Sequence, residues 1–463
     1  MKKFISIVSA MLLVFGFAAS AFAFQAEIPS ETQAAVAKGT TQITLGGSIR
    51  VRGEMQQNTS DFNDDAADYK GYYDQRVRLR LQADVTKNTM GVIHLESGSG
   101  AGSKASSDYT WGTEAGEEKG SYDYYKNGNG KQSPLYILEA WIQHKGSGLF
   151  GTPAGIKVGH MPVKLGYGLF FDHSKFGDDS INLFIDPTKE FHIELLHSKL
   201  REVPLNGDGN MYSLILAYAP NKDTKISFDT TYIDNQNANY TIATPASLLR
   251  SDSHLWNFGL RGETNVSGLG IKADIELQSG KTTDNGTFAA PKADIKYRGY
   301  AYLVGLSYKL DPVKLSLDYA YGSGDDNATD NKNKAFQTIL SGVQNYTYAY
   351  DYRAITAIGR TGTGLANTWY VKLGGNADIT KDLNADLNIY YLRAAKKVDA
   401  TYDSKKIGTE VDAKLTYKID KNLQYWVEGG YLFAGDLYKN VTTSATKNVD
   451  DAYAVRHGIE LSF

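Results

Sequence analysis

From residue 43 to the end of the chain, one pattern recurs: a segment in which apolar and polar residues alternate, then a break rich in turn residues. A period of two commits each segment to a β-strand with one apolar and one polar face. Eighteen such segments can be read, at 43–57, 72–86, 90–99, 135–144, 154–165, 180–186, 190–199, 211–219, 224–234, 253–265, 269–279, 296–310, 313–321, 368–379, 383–393, 408–419, 423–434 and 451–463. Their connections sort by length. Every second link, at 87–89, 145–153, 187–189, 220–223, 266–268, 311–312, 381–382 and 420–422, is short, and all but 145–153 are tight turns. The nine alternating with them, at 58–71, 100–134, 166–179, 200–210, 235–252, 280–295, 322–367, 394–407 and 435–450, are long. Sandwiches and propellers have no reason to sort links this way. A barrel across an outer membrane does, with short periplasmic turns, long external loops and an even strand count. The expected fold is therefore all-β, a transmembrane antiparallel up-and-down barrel of about 18 strands.

Parity then assigns two faces. Rows such as Ile226, Phe228, Thr230, Tyr232, or Val313, Leu315, Leu317, Tyr319, Tyr321, or Val411, Ala413, Leu415, Tyr417, Ile419 are apolar in the middle with Tyr near an end. They suit lipid with an interfacial aromatic belt. The opposite rows carry Lys225 and Asp229, Lys314 and Asp318, and Glu410, Asp412, Lys414 and Lys418, so the interior is expected to be wet. Eighteen strands leave an aqueous lumen. The last segment alternates up to Phe463, which resembles the closing strand of Gram-negative barrels, the end that the assembly machinery recognises.

Lys2 and Lys3 precede an apolar run from Phe4 to Ala19, and Ala21-Phe22-Ala23 supplies small residues for cleavage. Residues 1–23 read as a signal peptide, 24–42 as a short periplasmic segment and 43–463 as the barrel. Beyond the signal no stretch is long and apolar enough for a helical span. The chain has no Cys, which excludes a disulfide scaffold, thiolate metal sites and covalent haem attachment. Its formal charge of −3, falling to −5 without Lys2 and Lys3, does not suggest nucleic acid.

The most specific chemistry lies in the first two segments. Their inward positions include Arg50 and Arg52, then Arg76, Arg78 and Arg80, and closure of the barrel adds Arg456. An arginine ladder on a wet wall offers fixed donors to passing carboxylates or phosphates. The same arginines could instead pair with Glu54, Asp84, Glu96 and Glu460 and stiffen the wall. Other inward rows are acidic, through Asp274, Glu276, Asp386, Glu410, Asp412 and Glu428, and set a transverse field against the basic wall. The links 100–134 and 322–367 are candidates to fold inward and narrow the pore.

Other constellations are weak. Asp61 to Asp65 and Asp325 to Asp330 are oxygen-rich without the spacing of an EF-hand loop. His192 and His197 have opposite parity and cannot share a metal, and no Ser, His and Asp are placed for a triad. Neither catalysis, a metal nor a cofactor is expected.

The run Tyr73 to Asp84 (YDQRVRLRLQAD), the Glu139-Ala-Trp141 segment and Ile156 to Gly168 (IKVGHMPVKLGYG) resemble the early strands of alginate-export-type porins. The motifs cover residues 43–200. The resemblance implies an eighteen-stranded barrel whose arginine-lined lumen passes anionic or sugar-acid solutes, and it carries over to Arg76, Arg78 and Arg80. The chain has His160 where that pattern has Arg, and it lacks an Arg after Leu165-Gly166. Expected, then, is an outer-membrane porin for small hydrophilic solutes, favouring anions, embedded among lipid and lipopolysaccharide. A homotrimer and a periplasmic partner are compatible with the sequence. The alternative is a structural barrel, a sleeve for a multihaem cytochrome or a display scaffold for adhesive loops.

Overall fold

The computed structural model describes residues 41–66, 68–97, 109–111, 135–149, 151–202, 207–240, 249–284, 294–327, 329–340, 346–351, 364–398, 403–440, 442 and 448–463. The expected signal peptide, residues 1–23, and nearly all of the expected 24–42 segment lie outside them. Eighteen long strands are present: β1 (Gln42–Gln57), β2 (Lys70–Thr86), β3 (Thr89–Ser97), β4 (Leu135–Leu149), β5 (Thr152–Met161), β6 (Asp178–Ile185), β7 (Phe191–Arg201), β8 (Gly209–Asn221) and β9 (Thr224–Tyr240). They continue as β10 (Leu249–Val266), β11 (Leu269–Asp284), β12 (Tyr300–Leu310), β13 (Val313–Gly322), β14 (Thr368–Thr380), β15 (Leu383–Ala394), β16 (Lys406–Asp420), β17 (Leu423–Ala434) and β18 (Ala452–Ser462). Each pairs antiparallel with its neighbours in sequence, and β18 returns to β1 with Ser48 opposite Ser462 and Gln57 opposite Tyr453. The sheet is a closed barrel. Among the described residues no helix is long and apolar enough to cross a membrane.

All eighteen expected strands are present. Several strands differ from the expected bounds at their long-loop ends, with β9 running on to Tyr240, β10 starting at Leu249, β11 running on to Asp284 and β12 starting only at Tyr300. Two further boundaries moved for identifiable reasons. The 145–153 link is a tight turn like the others, because β4 runs on to Leu149 and β5 begins at Thr152. Its ladder slips between Gly146 and Leu149, where Gly148 takes a φ of 62° that a side chain would resist. A bulge built from Gly-Ser-Gly reads as a loop in sequence. The strand expected at 154–165 stops at Met161, since Pro162 has no N–H for the ladder and Val163 and Leu165 turn into the barrel to be buried.

The exposed apolar side chains follow the outward parity. Ile226, Leu315, Leu317 and Ile419 face out, while Asp229, Asp318 and Asp412 on the alternate rows are buried. Aromatic side chains on the outer face stack near the long-loop end, Tyr232 against Trp256 and Tyr302 against Tyr321, the belt expected where lipid meets water. The lumen's long-loop end is filled. Phe170, Phe171, Phe336, Tyr350 and Tyr438 are fully buried against Leu392, Ile407 and Leu432 on inward strand positions. Two long loops supply most of this packing, 162–177 and 323–367. They join each other through a short parallel pairing, Phe171–Asp172 with Ile339–Leu340, and Ile339 N donates to Phe170 O at 2.7 Å.

Candidate functional site

The six arginines lie on β18, β1 and β2 around the seam, and each meets a carboxylate. Arg52 donates to Asp74 Oδ2 at 2.9 and 2.6 Å and lies 3.5 Å from Glu54; Arg50 reaches the other oxygen of Asp74 at 3.5 Å. Arg76 reaches over β1 to Glu460 at 3.3 Å, Arg78 bonds Glu96, Arg80 is 4.0 Å from Glu139, and Arg456 bonds Glu428. Of the acids foreseen as partners, Glu54, Glu96 and Glu460 are used, whereas Asp84 accepts from Gln82 instead. Asp74 was missed, though it is an inward position of β2 one step above Arg76.

Five of the six acidic residues fall into two groups, each of which holds an inward loop. Glu428 belongs to the seam itself, since β17 is the neighbour of β18, and it also takes Lys414 at 2.9 Å. Glu410 accepts from the backbone N–H groups of Ala349 and Tyr350 at 2.6 and 2.8 Å, and Asp412 accepts from Tyr348 N at 3.3 Å. Tyr348 Oη donates to Glu428 at 2.7 Å with the Arg456 guanidinium 5.1 Å from its ring. Burial, reinforced by the Glu428 charge, pushes the Tyr348 phenol well above its ordinary value, so it stays a donor. These bonds hold the 346–351 segment down inside the barrel.

On the far wall Asp274 and Glu276 converge with Asp229 on Arg261, which bonds Asp229, Asp274 at 3.3 Å and Glu276 at 3.0 Å. All four side chains are buried. The 162–177 loop lands here: Tyr167 N donates to Asp274 Oδ2 at 3.2 Å. Gly166, with a φ of 54°, lies so close to the Arg261 guanidinium that a Cβ would collide with it. Asp386 alone stays clear of both loops, accepting from Asn376 at 2.7 Å and Asn388 at 3.0 Å. Of the two links expected to fold inward, 322–367 does so in its described residues. The other, 100–134, lies outside the described residues except Tyr109–Trp111, where Tyr109–Thr110 extends the sheet beside β2. The second inward loop is 162–177, which the sequence did not single out.

Between the two loops lies a cavity of about 340 Å³ with Lys164, Lys272, Lys372, Asp172 and Asp318 on its walls and the rings of Tyr167, Tyr346, Tyr370 and Tyr390 among them. Lys164 pairs with Asp172 at 2.8 Å, and Lys272 and Lys372 share Asp318 at 3.3 and 3.4 Å. Tyr346 packs on Tyr370 with ring centroids 4.8 Å apart. Lys272, Asp318, Tyr346, Lys372 and Tyr390 also border a second cavity of about 800 Å³, which reaches the short turn at Lys222 and Asp223. The two cavities adjoin at these five shared residues, and the larger extends towards the short-turn rim. Lys272 and Lys372 could have been found by parity, because Lys372 lies opposite the inward Asp318 on the next strand, β14, and Lys272 reaches it from β11 across Gly305 of β12. Among the described residues no group of His, Asp or Glu is arranged to hold a metal ion.

Solved structures of similar architecture include OccK1 (OpdK) of Pseudomonas aeruginosa, with a TM-score of 0.52 at 10% identity over 90% of this chain and 98% of that one. OccAB2 of Acinetobacter baumannii gives 0.51 at 13% identity, over 91% and 98%. OccK11 (OpdR) of P. aeruginosa gives 0.51 at 13%, over 91% and 96%. At these identities the likeness is one of fold, that of outer-membrane porins. Among curated proteins none matches the chain. The family model described as "Alginate export" matches residues 41–450, most of the barrel just described, and the chain belongs to that family of outer-membrane barrels.

Proposed function

We propose that the barrel passes small hydrophilic solutes and ions by diffusion and favours anions at the constriction between the 162–177 and 323–367 loops. The observation that carries this reading is the trio Lys164, Lys272 and Lys372 around a cavity of about 340 Å³, opposed among the described lining residues by Asp172 and Asp318. An excess of cationic side chains in a narrow, partly desolvated passage lowers the barrier for anions and raises it for cations. The tyrosines give a ring-bearing solute flat surfaces and hydroxyl partners. The seam arginines Arg50, Arg52, Arg76, Arg78, Arg80 and Arg456 contribute less to attraction, since each is already near a carboxylate, and more to orienting polar solutes as they pass.

A small solute fits better than a polymer. A polysaccharide would need the latched 346–351 segment to leave the lumen, whereas a monosaccharide-sized acid fits the space already there. The burial of Phe62, Phe170, Phe336, Tyr350 and Tyr438 also takes up room that a folded haem protein would require, which supports a channel over a sleeve.

The test is single-channel recording in planar bilayers under a KCl gradient. The wild-type reversal potential should lie on the anion side. Lys272→Glu with Lys372→Glu should invert it, while replacing Arg76, Arg78 and Arg80 by Ala should move it less. A barrel that conducts nothing, or a double variant with an unchanged reversal potential, overturns the reading.

A further inference from the structure

The outer wall above β11 and β12 carries a cationic patch that neither the lumen nor the lipid belt uses. Here the sheet rises past the aromatic belt. Ile295–Tyr297 continues the line of β12, and Lys332–Asn333 from the 323–367 loop lies parallel beside it. The register places His254, Lys281, Lys296 and Lys332 side by side in one row. Tyr297 points into the barrel, where its hydroxyl bonds Ser253 at 2.9 Å and Thr282 at 2.6 Å, so its neighbours Lys296 and Arg298 point out. All four basic side chains, Lys281, Lys296, Arg298 and Lys332, are exposed.

Like charges directly opposite one another in a sheet destabilise it. Lys281 is offset by Asp294 at 2.7 Å, and His254 faces Asp234 at 3.2 Å. Asp330, the other nearby acid, is held by Lys334 at 2.6 Å. Among the described residues Lys296, Arg298 and Lys332 make no ion pair. Arg298 is instead held by neutral groups, the Tyr297 carbonyl at 2.6 Å and Ser279 Oγ at 3.4 Å, which fixes its position and leaves its charge uncompensated. One pleat below, Ser279 faces Trp256, and next come Phe258, Leu277 and Tyr300. The vertical order is cations, then aromatic rings, then aliphatic side chains. By contrast, the rim over the seam is acidic, with Asp61, Asp64, Asp65, Asp68 and Asp450.

We propose that Lys296, Arg298 and Lys332, with Lys281 beside them, bind the phosphates of a phosphorylated glycolipid of the outer leaflet, the lipid A part of lipopolysaccharide. The layering matches an amphiphile with anionic groups at its head and acyl chains that run down the aliphatic wall. The site is independent of whatever solute the lumen passes.

Native mass spectrometry of the full barrel in detergent, titrated separately with diphosphoryl lipid A, monophosphoryl lipid A and phosphatidylglycerol, tests this. Wild type should retain diphosphoryl lipid A most tightly. Replacing Lys296, Arg298 and Lys332 by Gln should weaken it by roughly fivefold per charge, about a hundredfold together. Conductance and heat-dependent gel mobility should be unchanged in that variant, which separates loss of the site from loss of the fold. Equal binding by wild type and the triple variant, no lipid A binding by wild type, or phosphatidylglycerol held as tightly as lipid A, would each overturn the proposal.

Discussion

Arg261 stands against three buried carboxylates and underlies the tip of a loop at the same time. Its own burial is unfavourable, and the acids make it tolerable. Removing it strands Asp229, Asp274 and Glu276 without a countercharge. Arg261→Met should therefore cost on the order of 3 kcal/mol, read as a lower unfolding midpoint in urea by heat-dependent gel mobility, with the 162–177 loop more open to proteolysis from outside. An unchanged midpoint would mean that water in the lumen already screens the cluster. Parity along β10 was enough to place Arg261 inward, and the acids Asp274 and Glu276 had already been placed so. What hid it was its row: Asn257 and Gly259 precede it, and a wall of small polar residues gives no sign of a charge centre. Asp74 was hidden similarly, by the arginines that follow it.

At the scale of elements, the strands were legible and the loop conformations were not. A strand in a closed barrel must show lipid on one side and water on the other, so its sequence declares it. Apart from the Tyr348 hydroxyl on Glu428, the 346–351 segment is held by the N–H groups of Tyr348, Ala349 and Tyr350, which any residue but proline would supply, so little in its side-chain pattern announces the latch. Only the receiving half, Glu410 and Asp412, was visible, and it looked like part of a field. Glu410→Ala takes away both oxygens that anchor Ala349 and Tyr350. The expected outcome is a noisier channel with a mean conductance raised several-fold. Replacing 346–351 by a Gly-Ser linker should give a steadier increase and a reversal potential closer to zero. Conductance unchanged in both variants would place the narrowest point elsewhere.

The whole molecule is defined by its closure. The chain has no cysteine, so an engineered pair reports without interference. Gly47 and Phe463 exchange both backbone bonds, which makes their pair a hydrogen-bonded one and, counting along the ladder, Gln56 and Ala454 a close non-hydrogen-bonded pair. Such pairs have the Cα separation a disulfide needs. Gln56→Cys with Ala454→Cys should oxidise within one chain and keep the barrel's compact gel mobility after heating, until a reductant is added. Failure to cross-link would contradict the seam's register. That seam is also crossed by a side-chain pair, Arg76 with Glu460, while Arg456 ties β18 back to Glu428 on β17 and Tyr348 ties Glu428 to the inward segment. A seam fastened at both its ladder and its lining is not a place for the described wall to part. On the proposed reading, a solute inside the barrel is kept from the bilayer along this seam, and its route is axial, past the lysines and tyrosines between the two loops.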